Sequence, residues 1–156
     1  LSTLLVDELF NGVVAEQNFR IKRNISISSI RPWVYKHGTI PAGTFELSLV
    51  EGGNVLATST IDASEINAIQ GTYAHGSIRF DFNNVILNIP ETETFKEYTM
   101  RFTFSAAFDN DNFLGLVRRW EAKTYPTYGT GVINGEAPND SVEPYGLEIY
   151  EYTEVA

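Results

Sequence analysis

A chain of 156 residues, 43% of them hydrophobic and including 10 Phe and 8 Tyr, fits one domain that can bury a substantial core. With no cysteine, disulfides and thiolate–metal sites are excluded, so packing and β-ladder hydrogen bonds must hold the fold. Twenty acidic against 11 basic residues give a formal charge of −9, which repels phosphate backbones and argues against nucleic acid as a partner.

The segment from Leu1 to Val14 carries Leu1, Leu5, Leu9 and Val13 at a helical spacing that Asn11-Gly12 interrupts. It reads as a short strand or a partner-packing arm over residues 1–18, with the main domain over 19–156. The chain opens at Leu1 without an initiator Met, which reads as a processed or truncated product. No run approaches the roughly 18 apolar residues of a membrane span, so no membrane insertion is expected.

From Phe19 a β-like segment carries Ile21, Ile25, Ile27 and Ile30, and Pro32 predicts a bend or an edge position before Tyr35. The basic clusters at Arg20 to Arg23 and at Arg118-Arg119 read as solvated strand faces or partner contacts. After a turn-rich stretch, Phe45, Leu47 and Leu49 alternate with Glu46 and Ser48 up to Glu51-Gly52-Gly53-Asn54. Two glycines able to reach positive φ predict a tight hairpin there, with β-prone residues resuming from Val55 to Ile61. Asp62 can cap a short helical turn beginning at Ala63. Ile78, Phe80 and Phe82 then alternate with Ser77, Arg79 and Asp81, a strand with one face buried, and Asn83-Asn84 predicts a turn after it.

Glu91 to Thr94 reads as an exposed loop before a strand from Phe95 to Phe104 whose Phe102 and Phe104 face inward. Another strand is expected from Phe113 to Trp120. Residues 123–142 read as a long irregular excursion, and Leu147 to Tyr152 as a closing strand. Short strands, one helical turn and no β–α alternation predict an all-β, single-domain antiparallel β-sandwich, with jelly roll ahead of immunoglobulin-like topology.

Candidate sites follow from side-chain chemistry. Exposed aromatic rings stack on the apolar faces of sugars, which marks Trp33, Trp120, Tyr125 and Tyr128 as glycan-binding candidates; the competing reading places Trp33 and Trp120 in the core or at its rim. Asp109 and Asp111, in Asp109-Asn110-Asp111-Asn112, supply oxygen ligands of the kind Ca²⁺ takes, though the run lacks the later Gly and bidentate Glu of an EF-hand loop and reads first as a turn. His37 and His75 lie in no zinc-ligand pattern. Glu91 with Glu93, or Glu148 with Glu151, could pair as hydrolytic carboxylates, but in an acidic chain such pairs arise by chance. No nucleophile elbow or phosphate-binding loop occurs, and the chain is expected not to be an enzyme.

Ile27-Ser28-Ser29-Ile30, the stretch Thr44 to Leu49, the strand Val55 to Ile61 with its Asp-Ala-Ser-Glu-Ile connection, Ile78 to Phe82 and the ending Pro144 to Tyr150 together resemble jelly-roll, galactose-binding-like modules of tailed-phage virion surfaces and appendages. The resemblance covers residues 19 to 152 and brings no ligand or catalytic motif with it. It implies a noncatalytic structural module of a virion surface, such as a capsid decoration, head fibre or tail appendage. Such a module works through contacts with other virion proteins, as a homo-oligomer, with adhesion to host glycans as a further role. The alternative is a carbohydrate-binding module of a secreted, extracellular bacterial protein.

Overall fold

The computed structural model describes residues 6–9, 14–71, 73–106, 109–117, 127–133 and 147–155. In chain order these form β1 (Val6–Leu9), β2 (Ala15–Ile21), β3 (Ile25–His37), β4 (Thr44–Glu51), β5 (Asn54–Asp62), α1 (Ala63–Asn67), β6 (Tyr73–Ser77), β7 (Phe80–Leu87), β8 (Lys96–Phe104), β9 (Phe113–Val117), β10 (Thr127–Ile133) and β11 (Leu147–Glu154). The strands build two antiparallel sheets. One runs β10-β2-β8-β4-β5; the other is centred on β3, which pairs with β6, β7, β9 and β11, with β1 outside β9.

The first nine strands pair in nested fashion: β4 with β5, β3 with β6 and β7, β2 with β8, and β1 with β9. β10 then extends one sheet beyond β2, and β11 lies along the Ile25 half of β3. The innermost pair is the hairpin that its glycines predict. Glu51 faces Asn54 across Gly52 and Gly53, whose φ values of 53° and 88° suit a two-residue turn.

Pro32 sits on a central strand, and its missing N–H explains a break in the neighbouring one. Ile78 N–H donates to Pro32 O at 3.2 Å, but Pro32 has no N–H to return, so the ladder lapses between β6 and β7. Both strands keep the same alignment with β3 on either side of that point. On the opposite side of β3 the partner changes near Pro32, from β11 to β9. The expected bend or edge is therefore a change of neighbours within the sheet.

The core lies between the sheets. Phe45, Leu47, Phe102, Met100, Phe19 and Ile21 come from one sheet, and Ile25, Ile27, Ile30, Val34, Phe80 and Leu87 from the other. Phe102 makes a T-shaped contact with Phe80 at 5.7 Å and lies 5.6 Å from Phe45, joining the two layers. Phe104 is only partly buried and stacks on Phe45. Asp62 caps α1 as expected, its carboxylate accepting Ser64 N–H at 2.9 Å. Buried Lys36 reaches from β3 to the end of α1, its Nζ donating to the carbonyls of Asn67 and Ile69.

Two further expectations change. Asn83-Asn84 does not end its strand, because Asn84 takes φ 47° and β7 runs on with its inward phase moved from Phe80 and Phe82 to Val85 and Leu87. An Asn accepts left-handed backbone more readily than most residues, so the pair makes an irregularity within the strand instead of a turn. Residues 127–133 of the predicted irregular excursion form β10 against β2. Within the N-terminal segment, residues 6–9 form a short strand, one of its two expected forms, paired with β9 of the same chain, and β2 runs across position 18. No helix among the described residues is long and apolar enough to cross a membrane.

Candidate functional site

The strand registers bring several connections to one end of the sandwich. Ile25 lies opposite both Leu87 and Glu154, and Ile21 opposite Lys96. Lys96 Nζ in turn reaches Glu51 at 3.5 Å, beside the hairpin tip. The turn Lys22-Arg23-Asn24, the connection from Asn88 to Phe95, the Gly52-Gly53 tip and the end of β11 therefore meet here.

Asn24 ties three of these segments. Its Oδ1 accepts Ile89 N–H, and its backbone carbonyl accepts Val155 N–H, both at 2.8 Å. From below, the Tyr98 hydroxyl donates to Asn88 O at 2.6 Å and accepts Asn88 N–H at 3.1 Å. Burial, and then the nearby Glu51 charge, push the Tyr98 hydroxyl above its ordinary pKa. Glu93 N–H donates to Pro90 O at 2.9 Å, so the connection from β7 to β8 folds into a turn.

Lys22, Arg23 and Asn24 on one side, Ile89 to Glu91 with Glu93 and Thr94 on another, and Glu154 with Val155 line an open cleft of about 590 Å³. Arg23 pairs with Glu154 at 2.7 Å. Arg20 pairs with Glu97 at 3.1 Å and lies 4.0 Å over the ring of Phe95. Lys22, Glu91 and Glu93 are exposed, and no described residue bonds their side chains. The lining is mostly charged or polar, and the elements that end here also carry exposed apolar residues. Val55, Leu56, Ile86, Phe95, Tyr152 and Val155, six of the seven exposed large hydrophobic residues among those described, belong to strand ends or loops at this end. Such a gathering marks a contact surface more strongly than the same residues scattered singly.

The seventh is Trp33, which is 45% exposed on β3 and lies opposite Ser77. It does not sit in the core. Tyr128 falls on β10 opposite Phe19, in the other sheet, so the fold does not bring Trp33 and Tyr128 onto one strand layer. Trp120 and Tyr125 lie outside the described residues. In the basic cluster, Arg20 and Arg23 are solvated and ion-paired while Lys22 is exposed and unpaired among the described residues, and Lys22 and Arg23 line the cleft; Arg118-Arg119 is not among the described residues.

Asp109 and Asp111 form a closed turn. Asp109 Oδ1 accepts the backbone N–H groups of Asp111 at 2.8 Å and Asn112 at 2.7 Å, and these bonds hold its carboxyl below the usual range. The turn is tied to β3, where His37 Nδ1 lies 3.0 Å from Asp111 O and the His37 ring stacks on Phe113. Among the described residues no group of three or more His, Asp or Glu is placed to hold a metal ion.

No protein-family model matches this chain, and no curated protein matches it. The chemistry of this end is therefore carried by its own residues. Several were overlooked as site residues in the sequence, although two signals mark them. Phe95 follows four polar residues, and Val55 and Ile86 are apolar at positions that face water.

Proposed function

We propose that this chain is a noncatalytic structural module of a tailed-phage virion surface, held in place through contacts with other proteins. The observation that carries the reading is the concentration of exposed apolar residues around the cleft end, on a chain whose net charge otherwise favours solvation. The nested pairing adds support, since a long antiparallel hairpin rolled into two sheets is the plan of a jelly roll.

The test is incorporation into particles. Val55→Asp with Ile86→Asp changes two exposed side chains, so the melting midpoint should hold while the chain is lost from purified virions. Full retention of the variant would overturn the reading.

A second reading, a carbohydrate-binding module of a secreted protein, is favoured by Trp33 alone. An indole 45% exposed on a strand leaves apolar surface open on which a sugar can pack. Binding on a glycan array that disappears in Trp33→Ala would select this reading; an array that stays blank would reject it.

A further inference from the structure

We propose that a second copy of this chain docks on the cleft end about a two-fold axis, with Lys22 of each copy meeting Glu91 and Glu93 of the other. The inference rests on the protein-contact reading above and names one partner for that surface.

Charge selects the partner. Two copies of a chain carrying −9 repel each other wherever their acidic faces meet. At the cleft end most of the basic groups are already matched within the chain, Arg20 by Glu97, Arg23 by Glu154 and Lys96 by Glu51. What remains among the described cleft residues is one cation, Lys22, on the β2–β3 turn and two carboxylates, Glu91 and Glu93, on the β7–β8 connection. They lie on different segments and do not pair with each other. A two-fold contact is self-complementary, because whatever residue i of one copy meets in the other is met again in reverse. A surface with an unmatched cation beside unmatched carboxylates meets that condition: rotation by half a turn sets each Lys22 against the opposite carboxylates. A purely acidic partner would match only Lys22, and a basic one only the glutamates.

The apolar residues supply the rest. Phe95, Ile86 and Val155 lie at the same end, and covering them removes apolar surface from water while the charged groups fix the register. One end of a small domain offers an interface at the low end of the usual range, so association should depend on concentration and weaken with salt.

The experiment is sedimentation velocity on the full chain across a concentration series, with circular dichroism to confirm that each variant is folded. The unaltered chain should pass from monomer to dimer. Lys22→Glu should weaken self-association by about a hundredfold, because the two-fold repeat turns two attractive contacts repulsive. Glu91→Lys with Glu93→Lys should do the same. Mixing the two variants should restore dimers: the carboxylate introduced in the first variant then faces the lysines introduced in the second, whose own Lys22 faces the glutamates of the first. A chain that stays monomeric to about 1 mM, the range of the weakest specific contacts, would overturn the proposal. So would charge variants that still self-associate, or a mixture that does not. Incorporation into virions by a chain that never dimerises would remove the two-fold contact and leave the protein-contact reading standing. Loss of both would remove that reading as well.

Discussion

Replacing Phe102 with Ala tests the joint between the sheets. Phe102 lies on β8 between Ala15 of β2 and Leu47 of β4, with no exposed surface, and its ring meets Phe45 from its own sheet and, in a T-shaped contact, Phe80 from the other. Burying such a side chain contributes about 1.5–3 kcal/mol of transfer free energy. A phenyl ring leaves a void on the order of 100 Å³, which at about 24 cal/mol per Å³ adds up to about 2 kcal/mol if the walls do not collapse. The walls here are strands held in hydrogen-bonded register on both sides, so little collapse is expected and the loss should be about 3–5 kcal/mol. In a chain of this size that lowers the melting midpoint by about 6–20 °C. Urea unfolding should show a lower midpoint with an unchanged slope, the sign of a native state weakened without loss of cooperativity. A cycle with Phe80→Leu should return a coupling of about 0.5–1.5 kcal/mol for the ring pair. A loss below about 1 kcal/mol, or a coupling near zero, would refute the placement of Phe102 between the layers.

Gly38→Ala should be strongly destabilising. Gly38 holds φ at 73°, and a Cβ there would collide with Asp111 O and Asn112 Oδ1, so thermal unfolding should show a loss above the roughly 1 kcal/mol of an ordinary Gly-to-Ala conflict. Tyr98→Phe removes both bonds to Asn88 and should cost about 1–2 kcal/mol in urea at neutral pH. Because folding raises the Tyr98 pKa above 10.0, its contribution is complete below that pH and lost as pH rises through the folded value; the Phe variant should lack that alkaline decline. The carboxyls of Asp62 and Asp109 are held below 3.8 by N–H groups of Ser64 and of Asp111 and Asn112. Their contribution is present above 3.8 and lost as pH falls through the lower folded values, so Asp62→Asn with Asp109→Asn should flatten the acid limb of a stability–pH curve. Lys36→Met should lower the urea midpoint by leaving two carbonyls at the end of α1 without a donor, at a cost of about 1–3 kcal/mol.

Local chemistry wrote much of this fold into the sequence. The Gly52-Gly53 turn, the alternation of Ile78, Phe80 and Phe82 and the Asp62 cap each involve residues a few positions apart, where φ freedom, side-chain period and hydrogen-bond reach act directly. The features that escaped depend on distant partners. Asn83-Asn84 has turn chemistry, but pairing with β3 carries the strand through it. Residues 127–133 contain two glycines and become a strand because β2 offers an edge. The cleft was hidden for the same reason. Lys22 and Glu91 stand far apart in the chain, and only the strand registers bring their segments to one end.

The nested pairing also sets an order in which the chain can close. The β4–β5 hairpin joins residues separated by two glycines, a contact with almost no loop to immobilise. Once it exists, the ends of β3 and β6 are brought near each other, and pairing them closes only the short segments between. β2 with β8 and β1 with β9 follow by the same step, so each closure is made short by the one inside it. A topology with mostly distant pairings, which as a class folds slowly, thereby acquires a route that advances like a zip from its centre. On that route β11, which lies outside the nest, is set last: the Ile25 half of β3 keeps one edge open until the final strand arrives to cover it.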